Sequence, residues 1–172
     1  MVLWIIGMSC SGKTALGKYI YNKLKPECNN LLFLDGDILR EILGNDLGHT
    51  LEDRKQNADR INKLCNYLDS QGVNVIFALL SLFHENQKWM RKDIDNYYEV
   101  YIDADFDSLI KRDDKEIYKK AENREINNVV GVDIPFTPPP NPDITIKNNG
   151  SLKDLYNEGD KVIKSIRPFL GR

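Results

Sequence analysis

The chain has 172 residues, the length of one ordinary domain, and we predict a single domain over residues 1–172. Lys and Arg number 24 and Asp and Glu 26, so the net charge of −2 argues against a nucleic-acid partner and against an acidic membrane surface. Three cysteines with no CxxC pair indicate neither a zinc site nor a redox motif. Their sparse use, with no signal-peptide pattern, favours a cytoplasmic location.

Apolar runs alternate with helical patterns along the chain. We predict strands over 2–6, 31–34, 73–80, 99–103 and 143–147, and helices over 12–24, 51–71 and 86–94. Thr50 is the expected N-cap of the long helix, with Asp53 three residues on, and Ser151 opens a last helix. Residues 137–142 contain four prolines and are expected to form an extended connector. The alternation predicts an α/β fold, a doubly wound sheet of about five mainly parallel strands with helices on both faces.

The most specific motif joins the first strand to the first helix. Residues 7–14 read GMSCSGKT and fit the phosphate-loop pattern G-x-x-x-x-G-K-[ST], which predicts a P-loop NTPase-type sheet. Glycines let backbone N–H groups close around phosphate oxygens, and the helix N-terminus adds partial positive charge. We expect Lys13 to reach the terminal phosphates of ATP and Thr14 to coordinate Mg²⁺. The predicted ATP-binding residues here are Gly7, Met8, Ser9, Cys10, Ser11, Gly12, Lys13 and Thr14.

Motifs further along the chain separate two classes of phosphate-loop protein. A regulatory GTPase needs D-x-x-G after a strand and N-K-x-D for guanine, but the D-x-x-G at 69–72 ends a helix, where Gly72 is a cap. A small kinase needs an acid near the transferred phosphate, an acceptor pocket and a mobile basic lid. Asp35 and Asp37 follow the second predicted strand, at the sheet edge where ligands bind. Asp37 is predicted to accept the acceptor hydroxyl's proton or to position Mg²⁺.

Basic residues supply the other parts of a kinase site. Arg40 lies one turn beyond Asp37, and Arg54, Asn57 and Arg60 share one face of the long helix, which is either an anion-binding face or a solvated one. The Lys- and Arg-rich stretch 111–124 is either part of a lid, which we predict over about 111–137, or an ordinary exposed helix. Cys10 is either a tolerated side chain or a thiol whose alkylation would block ATP.

Five blocks of sequence together resemble the adenylylsulfate kinases. Besides the phosphate loop they are FLDGDxxR at 33–40, DLGxTxxDRxxNxxR at 46–60, KRDxKxxYKKA at 111–121, and GVDxPF at 131–136 with PxNPD at 139–143. The resemblance is collinear from about residue 2 to 147. It implies an ATP- and Mg²⁺-dependent kinase that transfers the γ-phosphoryl group to the ribose 3′-hydroxyl of adenylylsulfate.

The resemblance also implies the roles of particular residues. Asp37 is the catalytic acid and shares Mg²⁺ with Thr14, while Lys13 acts on the phosphates. Ser81 matches a serine proposed as a phosphoenzyme site, although direct in-line transfer is simpler. Lys111 and Arg112 are assigned to ATP. The residues assigned to the acceptor are Asp35, Asp37, Arg40, His49, Arg54, Asn57, Leu80, Ser81, Lys119, Lys120 and Val129.

Departures from the family pattern lie on the acceptor side. The family usually has phenylalanine where this chain has His49 and Val129, and those two rings sandwich the acceptor's adenine. Base–aromatic stacking is worth about 1–3 kcal/mol per base, so their loss weakens adenine binding. Ile38 and residues 82–84 also differ from the usual pattern, whereas the phosphate loop is intact.

These departures favour a changed acceptor. One branch of the family phosphorylates cytidine diphosphoramidate, in making phosphoramidate-modified capsular polysaccharide, and a pyrimidine is compatible with His49 and Val129. We therefore favour that nucleotide as the small-molecule acceptor, with adenylylsulfate as the alternative. A non-catalytic nucleotide-binding protein is an alternative of another class, against which Lys13, Asp37 and the lid argue. A homodimer is compatible with the sequence, which leaves the oligomeric state open.

Overall fold

A computed structural model describes residues 1–170 and confirms the alternation of strands and helices. The strands are β1 (Val2–Ile6), β2 (Leu31–Asp35), β3 (Asn74–Leu79), β4 (Tyr97–Asp103) and β5 (Ile144–Lys147). The helices are α1 (Lys13–Leu24), α2 (Gly36–Ile42), α3 (Leu51–Ser70), α4 (His84–Asp93), α5 (Phe106–Lys111), α6 (Ile117–Glu122) and α7 (Leu152–Ile166), followed by a 3₁₀ turn at Arg167–Phe169. Most predicted bounds are within two residues of these.

The five strands form one parallel sheet in the order β2-β3-β1-β4-β5. Strand β1 lies in the middle, with Leu3 paired to Ile76 of β3 and Tyr98 of β4. Because all strands run the same way, their carboxyl ends meet at one edge. That edge carries the phosphate loop after β1, Asp35 at the end of β2 and Ser81 just beyond β3.

Both faces of the sheet are covered, as a doubly wound fold requires. On one face Leu3 and Ile5 pack against Leu16 and Ile20 of α1 and against Val162 of α7. On the other face the alternate residues of β1, including Trp4, meet Ile61 and Cys65 of α3 and Met90 of α4. Alternation of the β1 side chains between two apolar layers explains why the strand is continuously hydrophobic.

Helix ends follow the predicted capping chemistry. The Thr50 hydroxyl accepts from the Asp53 N–H at 3.1 Å, and the Asp53 carboxylate accepts in return from the Thr50 N–H. Ser151 and Asp154 form the same capping box at α7. Gly72 has φ +73° just past α3, which confirms it as a cap and not as part of a GTPase motif.

The charged segment after β4 is not one helix. Helices α5 and α6 are separated by a turn, and the Asp113 carboxylate accepts from the Tyr118 N–H at 2.8 Å. Tyr118 and Ala121 of α6 are buried with Leu109 and Val129 in a small core, against which Met8 and Cys10 of the phosphate loop pack. We call residues 111–137 the lid segment. Its buried apolar side chains contact the phosphate loop.

Two further sequence expectations concern the connector and the membrane. Residues 137–142 have no helix or strand, as their prolines predicted. Arg91 of α4 donates hydrogen bonds to the Asn141 carbonyl and the Asp143 carboxylate, which attaches the connector's end to α4.

Within residues 1–170, no helix is long and apolar enough to cross a membrane.

Candidate active site

Two positions of the phosphate loop, Gly7 and Gly12, leave no room for a side chain. A Cβ at Gly7 would overlap the Ser11 side chain and lie 2.9 Å from the Ile102 carbonyl oxygen. Gly12 has φ +100°, and a Cβ there would lie 2.8 Å from Asn148 Nδ2. Cys10 also has a positive φ, +63°. The loop thus presents main-chain N–H groups at the start of α1, the arrangement that binds phosphate oxygens.

Lys13 and Thr14 both contact groups at the sheet edge. The Lys13 ammonium donates to the Met8 carbonyl at 2.7 Å, within the loop. The Thr14 hydroxyl donates to the Asp35 carboxylate at 2.6 Å, so Asp35 is the carboxylate that adjoins the expected Mg²⁺ ligand. Asp35 also accepts from the Asp37 N–H at 3.0 Å, which caps α2 and leaves Asp37 exposed on its first turn.

Electrostatics link Lys13 to the same carboxylates. Burial lowers the pKa of the Lys13 ammonium to about 8, and the negative charges of Asp37 and Asp35 oppose that decrease. A bound polyphosphate would raise the pKa of Lys13 and keep its ammonium charged, because added negative charge favours the protonated form.

Contacts from distant segments hold the phosphate loop in place. Asn148, buried just after β5, donates from Nδ2 to the Ser11 carbonyl at 2.8 Å. The Tyr118 hydroxyl of the lid segment donates to the Ser9 carbonyl at 2.9 Å. Arg112 donates to the carbonyls of Asn148 and Gly150, at 2.8 and 3.0 Å. The loop is therefore stabilised from both the last strand and the lid segment.

Three arginines hold the loop between α2 and α3. Arg40 donates to the Leu47 carbonyl at 2.9 Å, and Arg60 forms a two-pronged ion pair with Asp46 at 2.7 and 2.8 Å. Arg54 bridges two segments, with Nε 2.9 Å from the His49 carbonyl oxygen and Nη2 2.8 Å from that of Asn128. We call residues 43–50 the acceptor loop. Its guanidinium contacts fix the loop beside the lid segment.

The pKa of His49 is lower than usual, because of partial burial and the positive charges of Arg40 and Arg54. The negative charge of Asp37 acts in the opposite direction and raises the pKa of His49. His49 is therefore neutral at neutral pH and offers a ring face and a hydrogen-bonding edge.

Ser81 and Val129 are buried at this end of the molecule. The Ser81 hydroxyl oxygen accepts from Gln87 Nε2 at 3.1 Å, and an amide cannot remove a proton from it. Leu80, next to it, is half-buried. Val129, in the lid segment, packs in the small core. It follows Asn128, whose carbonyl oxygen accepts a hydrogen bond from Arg54.

The structure gathers one group of the predicted residues and leaves another apart. Hydrogen bonds and charge interactions connect Lys13, Thr14, Asp35, Asp37, Arg40, His49 and Arg54. Asn57 is half-buried between Arg54 and Arg60 on the same helix. Lys119 instead pairs with Glu116 at 2.8 Å, Lys120 donates to the Lys115 carbonyl, and Lys111 is exposed.

Two residues that shape the site belong to none of the predicted motifs: Asn148 contacts Ser11 and Gln87 contacts Ser81. Tyr118, in the block at 111–121, contacts Ser9, and Asp35 contacts Thr14 where Asp37 was the expected metal partner. Asn148 is 137 residues from Ser11 along the chain, so no local pattern could have found it.

The Cys10 thiol is half-buried, with Sγ 3.8 Å from the Asp113 carboxylate. Burial and that negative charge raise its pKa, so the reactive thiolate is disfavoured. This favours a tolerated side chain over a reactive thiol at position 10.

A phosphate loop before α1, carboxylates after β2 and a neighbouring loop held by three arginines define a small-molecule kinase of the P-loop class. Comparison with known proteins narrows this class. Residues 1–147 match the model of the adenylylsulphate kinase family, and the chain belongs to that family.

Relatives with two different names are similar to the chain. It is 43% identical to the cytidine diphosphoramidate kinase of Campylobacter jejuni subsp. jejuni serotype O:2, over 96% of this chain and 95% of that protein. It is 32% identical to the adenylyl-sulfate kinase of Gloeothece citriformis, over 96% and 93%. The structure of the Mycobacterium tuberculosis APS kinase with AMPPNP and APS superposes with TM-score 0.85 at 30% identity, over 96% of both chains.

The chain is thus an ATP-dependent phosphotransferase of the adenylylsulfate kinase type, acting on a small nucleotide with ATP and Mg²⁺. Within residues 1–170, no group of three or more His, Cys, Asp or Glu side chains is arranged to hold a metal. That is expected for Mg²⁺ at a kinase site, which takes one or two protein oxygens and completes its shell with phosphates and water. The hydroxyl of Thr14 beside the Asp35 carboxylate fits this requirement.

Proposed function

We propose that this chain, as one kinase domain over residues 1–172, transfers the γ-phosphoryl group of ATP to the ribose 3′-hydroxyl of cytidine diphosphoramidate. The reaction would serve the synthesis of a phosphoramidate-modified capsular polysaccharide. The observation that carries the proposal is the pair His49 and Val129, which replace the two rings expected for clamping adenine.

The geometry of these two residues supports a small, polar base. Arg54 joins their two segments, since it holds the carbonyls of His49 and Asn128. The His49 imidazole is neutral and can stack on one face of a base or bond to its edge. Val129 is buried in the small core with Leu109, Tyr118 and Ala121 and would offer the base an aliphatic edge without a second ring. One ring and one aliphatic wall suit a pyrimidine better than a purine.

Residue roles follow from the same placement. Lys13 would neutralise the β- and γ-phosphates, and Thr14 with Asp35 and Asp37 would hold Mg²⁺. Asp37, exposed at the start of α2, would accept the proton of the 3′-hydroxyl. The acceptor's 5′ groups would lie among the arginines and Asn57, and Lys119 and Lys120 would reach phosphates when the lid segment closes.

The test is ATP consumption with cytidine diphosphoramidate and with adenylylsulfate, side by side. We expect kcat/KM at least about tenfold higher for the cytidine acceptor. His49→Phe should narrow that ratio because it replaces the imidazole by the larger phenyl ring at an exposed position; adding Val129→Phe should narrow it further. Gln56→Phe, an exposed change on α3, is the control and should leave the ratio unchanged.

Adenylylsulfate is the second candidate acceptor, because the structure superposed at TM-score 0.85 holds APS. Preference of the unaltered chain for adenylylsulfate would make it an adenylylsulfate kinase with an atypical base clamp. Turnover of neither nucleotide would reject both assignments.

A further inference from the structure

We infer that Gln87 is a positioning residue that orients the Ser81 hydroxyl toward the bound acceptor. Gln87 lies in the first turn of α4 and is 5% exposed, and its Nε2 donates to Ser81 Oγ at 3.1 Å. Ser81 is itself 7% exposed. The inference rests on the proposed function and on the assignment of Ser81 to the acceptor site, which the family resemblance implies.

The sheet register places Ser81 close to the proposed general base. Asp35 pairs with Ala78 across β2 and β3, and a Cβ at Gly36 would lie 3.4 Å from Leu79 Cβ. Ser81 follows two residues later at the same edge. The turn that bears Asp37 and the turn that bears Ser81 are therefore neighbours.

The bond from Gln87 determines what Ser81 can do. A hydroxyl has one hydrogen to donate, and Ser81 Oγ already accepts from the Gln87 amide. Its own hydrogen is therefore free to bond an oxygen of the acceptor nucleotide. In this role Ser81 keeps its proton, so no base is needed beside it. A serine that becomes phosphorylated would need a base to remove that proton.

An unfavourable feature of Gln87 supports this role. Its Oε1 is buried and has no hydrogen-bond partner within residues 1–170. An unpaired buried oxygen is destabilising, and an apolar side chain of the same length would avoid that cost. The bond to Ser81 is the feature that an apolar side chain would lose.

The neighbouring residue fixes the turn from which Gln87 acts. Asn86 is buried; its Nδ2 donates to Asp59 at 2.8 Å and its Oδ1 accepts from Lys55 at 2.8 Å. These contacts hold the first turn of α4 against α3, which carries Arg54. Gln87 therefore acts from a rigid support shared with the acceptor loop.

The experiment is a double-mutant cycle between Gln87→Met and Ser81→Ala, assayed with whichever of the two nucleotides the unaltered chain phosphorylates. We expect Gln87→Met to lower kcat/KM for the acceptor about fivefold, with the KM for ATP unchanged. In the Ser81→Ala background it should have no further effect. Gln71→Met is the matched control, since it removes an exposed Gln–Ser contact of 3.4 Å at the far end of α3.

Gln87→Glu provides a second variant of nearly identical shape. An ionised carboxylate can only accept, so it would turn the Ser81 hydrogen away from the nucleotide. Activity should therefore fall as pH rises through the pKa of the introduced glutamate, and the Gln71→Met control should show no such fall.

Full kcat/KM in folded Gln87→Met, or losses that multiply in the double variant, would overturn the inference. A pH profile of Gln87→Glu identical to that of the unaltered chain would also overturn it. Failure of the proposed function would appear separately, as no turnover of either nucleotide by the unaltered chain.

Discussion

The two halves of this site are built in different ways. The phosphate loop is a single stretch of eight residues that runs from the end of β1 into the first turn of α1, and its shape depends on glycines and on hydrogen bonds to its main chain. The side that we propose for the acceptor is assembled from the turn after β2, the acceptor loop, the start of α4 and the lid segment. Side chains, chiefly arginines, hold those parts together.

The difference explains why one half matches its family and the other departs. A loop that binds triphosphate through backbone has few positions that can change without strain. A single exposed side chain that we propose to line the acceptor site, such as His49, can be replaced without moving the phosphate loop. Acceptor specificity can therefore change while phosphoryl transfer is preserved.

Removing the Lys13 charge should break the donor half most completely. We expect Lys13→Ala to lower turnover at least about 100-fold, since fixed charge at developing phosphate charge is worth several kcal/mol. Lys18→Ala, an exposed change on the same helix, should have little effect. Turnover and thermal unfolding are measured together. Near-normal turnover in a folded Lys13→Ala protein would remove Lys13 from catalysis.

Asp37 tests whether the acceptor half contributes chemistry as well as binding. Asp37→Asn should lower kcat about 100-fold, the lower range for a lost general base, with ATP affinity almost unchanged. Glu41→Gln, exposed on the same helix, serves as the control. Steady-state kinetics and nucleotide titration separate the two effects. Unchanged kcat would move the role to Asp35, which contacts Thr14.

The pH dependence of ATP binding should report Lys13 directly. Its pKa of about 8 means that the free protein loses this charge above pH 8, whereas bound phosphates favour the protonated form. ATP affinity should therefore be constant below pH 8 and fall by about tenfold near pH 9. Lys13→Arg keeps its charge and should flatten the profile. Titration calorimetry between pH 7 and 9.5 would detect this; an equal fall in both proteins would contradict it.

The smallest expected effect concerns the lid segment, which joins the two halves. Tyr118 and Ala121 are buried against the phosphate loop, whereas residues 122–127 are exposed. We expect hydrogen exchange over 113–130 to slow when both nucleotides bind, most strongly at 122–127. Helix α1 provides the internal reference. Equal exchange over 113–130 in the free and doubly liganded protein would reject a closing lid.

Much of the fold and of the donor half could be read from the sequence. Continuous apolar strands, capping boxes at Thr50 and Ser151, and the pattern at residues 7–14 act over a few neighbouring residues, so they are visible locally. The family resemblance added the class of reaction. The charged segment after β4 was less predictable, because the hydrogen bond from the Tyr118 N–H to Asp113 and the burial of Tyr118 accompany its division into two short helices.

The tertiary structure alone decided how distant side chains meet. Tyr118 reaches Ser9 across 109 residues of sequence, and Arg54 reaches Asn128 across 74. Such pairs depend on the order of strands in the sheet and on the register between β2 and β3, which place separate turns at one edge. Periodicity records which face of an element is apolar, and it does not record which polar side chain lies opposite. For that reason the sequence determined the phosphate loop and indicated the residues that we propose for the acceptor, and only the folded chain decided which distant side chains hold them in place.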